Sequence, residues 1–193
     1  MNSIRLRPVR ESDVPALLAI YSQYIHTNIT FEYDLPDEEE FLHRIREVTE
    51  TYPYLVCEKY GRMVGYAYAH LYKERAAYAW DVELSVYTST EAAGMGIGRR
   101  LYGALLSLLA LQGVYTAYGR VTKPNEKSER LHEIMGFSKV GEEHGTGYKN
   151  GIWMDLTVYE KAISPHMGEP RAITPLSALD PAEVDMILHK YEE

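Results

Sequence analysis

One cysteine, Cys57, stands in the 193 residues of the chain. A lone thiol closes no intrachain disulfide and builds no cysteine metal cluster, so neither organises the fold, and no bound metal is expected. Cys57 lies between Val56 and Glu58 in a strand-like run with no base close in sequence, so it reads as a buried structural thiol and not as a nucleophile. Positive charge is also in deficit, with 20 Lys and Arg against 28 Asp and Glu and a net charge of −8. That balance argues against nucleic acid or an anionic membrane as the main partner. No apolar run is long enough to span a bilayer, and Met1-Asn2-Ser3-Ile4-Arg5 carries no apolar signal region, so a cytoplasmic protein is expected. Phenylalanine is scarce, at three residues, whereas tyrosine reaches 17. Buried tyrosines need a partner for each hydroxyl, and others suit the wall of a polar pocket.

What is present centres on one stretch. The run Glu83-Leu84-Ser85-Val86-Tyr87-Thr88 has strand character and leads to Gly94-Met95-Gly96-Ile97-Gly98-Arg99-Arg100-Leu101, followed by a helical pattern through Leu105, Leu108 and Leu109. Strand, glycine-rich turn and helix place free N–H groups and the positive end of a helix dipole at one point, which is a binding place for phosphate. The dinucleotide spacing Gly-x-Gly-x-x-Gly does not fit: from Gly94 the third glycine comes one place early, and from Gly96 the place is held by Leu101. A Walker loop is absent too. On spacing alone, a phosphate site and a plain tight turn stay equally open.

Around this stretch, periodicity predicts a strand over 3–8, helices to about residue 27 and over 37–49, and a loop or short strand at 28–35. A hairpin is expected from 54–58 and 62–72, then a strand over 78–87, the helix 96–112 and a strand over 115–121. A helix from Pro124-Asn125 to Met135-Gly136 and strands over 137–140 and 153–159, with a Gly-rich loop at 145–151, complete the pattern. The order β-α-α-β-β-β-α-β-α-β-β predicts an α/β fold with a mixed sheet and helices on both faces. Residues 1–160 are expected to form one domain. Four of the nine prolines fall in 161–193, which reads as an extended linker and a final helix. Asp180-Pro181-Ala182-Glu183 starts that helix, and Val184, Ile187, Leu188 and Tyr191 stripe one face, to dock on its own domain or on a partner subunit.

Ala93-Gly94-Met95-Gly96-Ile97-Gly98 resembles the pyrophosphate loop of the GCN5-related N-acetyltransferases (GNAT), Gln/Arg-x-x-Gly-x-Gly/Ala, with Ala93 in place of the usual Gln or Arg. Within that superfamily, the runs 54–58, 65–69, 72–80 and 83–87, the Leu131-His132-Glu133 triplet and the late run 151–156 are similar to phosphinothricin N-acetyltransferases and to enzymes that acetylate methionine sulfone or sulfoximine. The resemblance covers residues 3–160. It implies a sheet that splays after the strand at 78–87 to admit acetyl-coenzyme A, and a small-molecule acceptor: the α-amino group of an amino-acid analogue. It also implies a possible homodimer.

Acyl transfer from a thioester to an amine needs a base for the ammonium and a donor for the departing thiolate. By residue type alone, Glu83 is more simply a solvated charge on a strand, and His132 a surface or capped core imidazole. The resemblance makes Glu83 the base and His132 the acid. Val86, Tyr87 and Thr88 are implied to offer backbone groups to the pantetheine arm. Ala93, Gly94, Met95, Gly96, Ile97, Gly98 and Arg99 are implied to hold the pyrophosphate, with Arg99 and Arg100 offsetting the missing charge at Ala93. Asn125 is implied to touch the cofactor, and is equally natural as a helix N-cap. Lys73 and Arg75 are candidates to pair with the acceptor's carboxylate and second oxygen, or are solvated loop charges. Phe31, Tyr78 and Trp80 are candidates for the pocket wall. Two other readings compete: acetylation of a peptide or polyamine, and a non-catalytic coenzyme A sensor.

Overall fold

The computed structural model describes residues 4–192; Ser3, placed in the first strand above, lies outside them. Strand β1 (Ile4–Pro8) is followed by helix α1 (Val14–Ile25), which has Pro15 in its first turn and buries Leu17, Leu18 and Tyr21. Residues 28–35 form a loop. Helix α2 (Glu38–Thr49) is capped by Asp37, whose carboxylate accepts from the Glu40 N–H, and buries Phe41 and Ile45. Strands β2 (Tyr54–Lys59), β3 (Arg62–Leu71) and β4 (Asp81–Thr88) make an antiparallel meander. Residues 76–78 form a short turn of 3₁₀-helix, so β4 begins at Asp81 and not at residue 78. Helix α3 (Ile97–Gln112) ends at Gly113, in the left-handed conformation that terminates helices. Strand β5 (Thr116–Lys123), helix α4 (Glu126–Ile134), strands β6 (Ser138–Lys149) and β7 (Ile152–Ala162), and helix α5 (Pro181–Lys190) follow.

The expected Gly-rich loop at 145–151 is instead most of the second half of β6, which turns into β7 only at Asn150-Gly151. Glycines are poor strand formers, and here they mark irregularity: the β6–β7 register shifts between Lys139 and Gly141 and between Glu143 and Gly147.

Seven strands form one sheet in the order β1-β2-β3-β4-β5-β7-β6. Neighbours are antiparallel except β4 and β5, which are parallel. Side-chain alternation then divides the sheet into two unlike faces. Ala67 and Ala69 of β3 lie with Val82 and Leu84 of β4 under Leu101, Leu105 and Leu108 of α3 in one apolar core. On the opposite face, Tyr66, Tyr68 and His70 sit across from Tyr87, Ser85 and Glu83. Helices α1 and α2 cover part of this polar, aromatic face and pack on Tyr54, Val56 and Tyr66.

The tail after β7 stays on the molecule. Thr174 N–H donates to Gln112 O, Leu176 N–H to Thr51 O, and the Gln112 amide to both Thr51 O and Thr174 O. Helix α5 buries Val184 and Leu188 in the α3 core, and the Glu192 carboxylate accepts from Leu6 N–H at the outer edge of β1. An open sheet edge is thus covered.

Candidate active site

The site begins where the sheet parts. Strands β4 and β5 pair only at Asp81–Thr116, Val82–Ala117 and Glu83–Tyr118. Past Glu83, β4 keeps β3 along one edge while β5 keeps β7, and no pairs join Leu84–Thr88 to Gly119–Lys123. Backbone groups along the inner edges of this split therefore lack a strand partner, and Val86, Tyr87 and Thr88 lie on that edge of β4. The Thr88 carbonyl accepts from the Tyr24 hydroxyl at 2.5 Å, tying the far end of β4 to α1.

At the open end of the split stands the start of α3. Its N-cap is Gly96, which brings no side chain to the free N–H groups. Gly94 and Gly96 have φ of +78° and +75°, a region that L side chains rarely adopt. No atom lies within 4 Å of the position a Cβ would take at either. The loop is an exposed cradle of backbone at a positive helix end, and it fits a pyrophosphate. Ile97 contributes only backbone, because its side chain is buried against Gly65. Gly98 passes close to Leu131 of α4 and Val86 of β4. Met95 and Arg99 are exposed beside the cradle, and Ala93 is exposed without charge. Arg100 is turned away: its guanidinium donates to Tyr191 O at 2.9 Å, so of the two arginines only Arg99 stands open to phosphate. Asn125 caps α4, its Oδ1 accepting from Ser128 N–H at 3.3 Å, which leaves its amide nitrogen unused by the cap.

Glu83 marks the closed end. It lies across from His70 on β3 and Tyr118 on β5, on the polar face, with its side chain only 18% exposed. The Arg120 Nε stands 4.0 Å from its carboxylate, and Arg120 also pairs with Glu143 at 3.2 Å. Tyr118 stacks on Tyr72 with centroids 4.0 Å apart, and the Lys73 ammonium lies over the rings of Tyr72 and Tyr78 at 4.6 and 4.9 Å. Arg75 is exposed on the same loop. The Arg120 guanidinium also lies 5.9 Å from the Tyr72 ring, so Lys73 and Glu83 flank one cluster of Tyr72, Tyr118 and Arg120. Asp81, two residues before Glu83, has its carboxyl raised above the ordinary value by burial, opposed by a hydrogen bond from Thr116.

Phe31 comes from the α1–α2 loop and lies against Gly147 of β6, where a Cβ would be 2.6 Å from its ring. That loop is pinned by Lys149, a buried lysine whose ammonium donates to Ile25 O and Thr30 O at 2.7 Å each. Burial holds the Lys149 ammonium below its usual value. The Trp80 indole N–H donates to Arg171 O at 2.7 Å, so the tail holds one edge of this ring. Beneath α1 and α2 lies a cavity of about 60 Å³ lined by Tyr21, Tyr54, Tyr66, Tyr68 and Tyr87, which accounts for part of the tyrosine excess.

His132 approaches from the other face of the sheet, almost fully buried on α4. Its Nδ1 is 2.8 Å from Ser128 O, and a carbonyl can only accept, so Nδ1 carries the proton. Nε2 is left with a lone pair, 3.4 Å from the Tyr102 hydroxyl of α3. Burial lowers the imidazole below its ordinary value. The ring is therefore a neutral acceptor at Nε2 and not a resting acid. Tyr102, Arg120 and Lys149 all escaped the sequence reading, since each meets its partners far along the chain: Tyr102 at His132, Arg120 at Glu83 and Glu143, Lys149 at Ile25 and Thr30.

The sequence matches the acetyltransferase (GNAT) domain family over residues 6–158. The chain belongs to the GNAT acetyltransferase family. It is an acetyl-CoA-dependent acyltransferase, and its N-acetyltransferase relatives extend along nearly the whole chain. It is 32% identical over 177 residues to a phosphinothricin N-acetyltransferase of Streptomyces viridochromogenes, spanning 91% of this chain and 96% of the relative. It is 27% identical to an L-methionine sulfoximine/L-methionine sulfone acetyltransferase of Pseudomonas aeruginosa, spanning 87% and 99%. The solved structure of a GNAT phosphinothricin acetyltransferase from Sinorhizobium meliloti in complex with AcCoA superposes with a TM-score of 0.85, at 29% identity over 91% of this chain and 98% of that one. The GNAT fold and the acetyl-CoA cofactor predicted from the sequence agree with these findings. Among the described residues, no helix is long and apolar enough to cross a membrane.

Proposed function

We propose that this N-acetyltransferase acetylates the α-amino group of a small amino-acid analogue of the phosphinothricin or methionine sulfoximine type. The observation that carries the reading is the placement of Glu83 at the apex of the split, with Arg120 beside it and the Tyr72 ring, under the Lys73 ammonium, 5.9 Å from that guanidinium. Bound acetyl-CoA supplies an activated acyl thioester. The chain supplies position and proton traffic. Gly94 to Arg99 hold the pyrophosphate through backbone N–H groups and the Arg99 charge. The free edge of β4 at Val86, Tyr87 and Thr88 orients the arm, and the Asn125 amide supports it from α4. Lys73 and Arg75 pair with the acceptor's carboxylate and its second oxygen, and Phe31 and Tyr78 close the pocket around it.

Glu83 takes the first proton from the acceptor ammonium, because only the free amine is a nucleophile. The Nε2 of His132 takes up the next proton shed by the nitrogen and passes it to the departing sulfur; burial makes the transient imidazolium a ready donor. Cys57 takes no part. It is fully buried in β2, and burial pushes its thiol up to about 12, so it is protonated at working pH. The transfer is therefore direct. Thiol release from acetyl-CoA, measured over phosphinothricin, methionine sulfoximine, methionine sulfone, peptides and polyamines, tests this function. Release with the amino-acid analogues alone is expected. Release with peptides or polyamines alone assigns a different acceptor, and cofactor binding without release to any acceptor marks a sensor.

A further inference from the structure

The His132 ring is held from three sides by groups of three different elements. Ser128 O, one turn back in α4, fixes the Nδ1 proton. The Tyr102 hydroxyl of α3 faces the Nε2 lone pair at 3.4 Å, and with Nδ1 already the donor it must itself donate there. On the third side is β5, where Gly119 has no side chain: a Cβ at that position would lie 2.2 Å from Nε2. Tyr159 of β7 stacks on the ring at 5.0 Å, and Phe137 meets it edge-on at 5.1 Å. Tyr102 is itself fully enclosed, and among the described residues the only hydrogen bond of its hydroxyl is the one to His132. A buried hydroxyl is costly to leave without a partner, so this one is committed to the imidazole.

We propose that Tyr102 and Gly119 are positioning residues for the reaction, acting through His132: Tyr102 holds the resting ring by donating to Nε2 at 3.4 Å, a long bond that gives way when Nε2 takes the reaction's proton, and Gly119 opens the space in which Nε2 lies. The inference rests on the reading that His132 moves a proton. The titratable groups around the ring are Tyr102 from α3 and Tyr159 from β7, while Glu129 and Glu133 of α4 act on Tyr159. A donor to Nε2 stabilises the neutral ring, so its loss raises the imidazole midpoint.

The test follows Tyr102→Phe, which keeps the ring and its packing, by two readouts on the intact chain. One is the His132 titration, read from the imidazole nitrogens by NMR without cofactor. The other is steady-state acetyl transfer. The expected result is a His132 midpoint above wild type, a kcat lower by about five- to tenfold, and an acetyl-CoA KM within about twofold. Gly119→Ala is expected to displace the ring, with loss of the Nδ1–H signature and a kcat at least as low. Wild-type midpoint and kcat in Tyr102→Phe would overturn the proposal, as would an undisturbed ring in Gly119→Ala. If the wild-type chain acetylates no acceptor in the panel, the proposed function fails, and the NMR midpoints alone still decide whether the clamp exists.

Discussion

Glu83 and His132 stand on opposite faces of one parted sheet, and their surroundings are unlike. Glu83 sits among polar and aromatic side chains with Arg120 alongside, whereas His132 is enclosed by rings with one carbonyl and one hydroxyl for company. Both residues were legible in the sequence by family resemblance, but their environments were not. The tautomer of His132 depends on Ser128 and Tyr102, and the cluster between Lys73 and Glu83 brings Tyr72 to Tyr118 and Arg120 of a distant strand. Strand and helix periodicity carries no trace of such contacts. The buried imidazole also gives a pH signature. Its folded value lies below the ordinary one near 6.5, so the unfolded chain takes up the proton first as pH falls. Stability from this group is whole above the ordinary value and is lost as pH drops through and below it. Thermal melting between pH 7.5 and 5 is expected to decline more steeply in the wild-type chain than in His132→Gln. Equal slopes would show that His132 is not the group responsible.

Among the elements, the glycine turn and α3 were readable because their signals are local: three alternate glycines, a helical leucine period, and a terminal glycine at 113. The second half of β6 was misread because its glycines resemble a loop until pairing with β7 is seen. The amphipathic stripe of α5 was equally plain, yet not its target. In the structure α5 lies on its own domain, and the Tyr191 ring covers Gly103 of α3 so closely that a Cβ there would sit 2.3 Å from it. The Tyr191 hydroxyl meets Ser107 at 2.9 Å. This contact explains a glycine in mid-helix, which otherwise costs about 1 kcal/mol against alanine. Gly103→Ala is therefore expected to destabilise the wild-type chain by about 1–3 kcal/mol in urea unfolding. In a Tyr191→Ala background the same change is expected to be neutral or stabilising. An identical effect in both backgrounds would detach α5 from α3.

For the whole molecule, the sheet order leaves β6 at one edge, while α5 and Glu192 cover the other at β1. Beside that open edge, Tyr148, Ile152 and Trp153 are exposed, and the Tyr33 hydroxyl donates to Tyr148 O. The Tyr148 and Trp153 rings, 5.3 Å apart on one face of the β6–β7 hairpin, are an exposed aromatic pair suited to burial against a second copy, and we propose a homodimer through this hairpin. Light scattering is expected to give a dimer mass for the wild-type chain and a monomer for Trp153→Glu. A monomeric wild-type chain would exclude it.

The account depends above all on Glu83 accepting a proton at the apex of that split. Its most direct test is kcat for methionine sulfoximine acetylation by Glu83→Gln, with acetyl-CoA affinity measured on the same protein. A fall of about a hundredfold or more, with acetyl-CoA affinity retained, is the predicted result. A Glu83→Gln enzyme that turns over like wild type would contradict it.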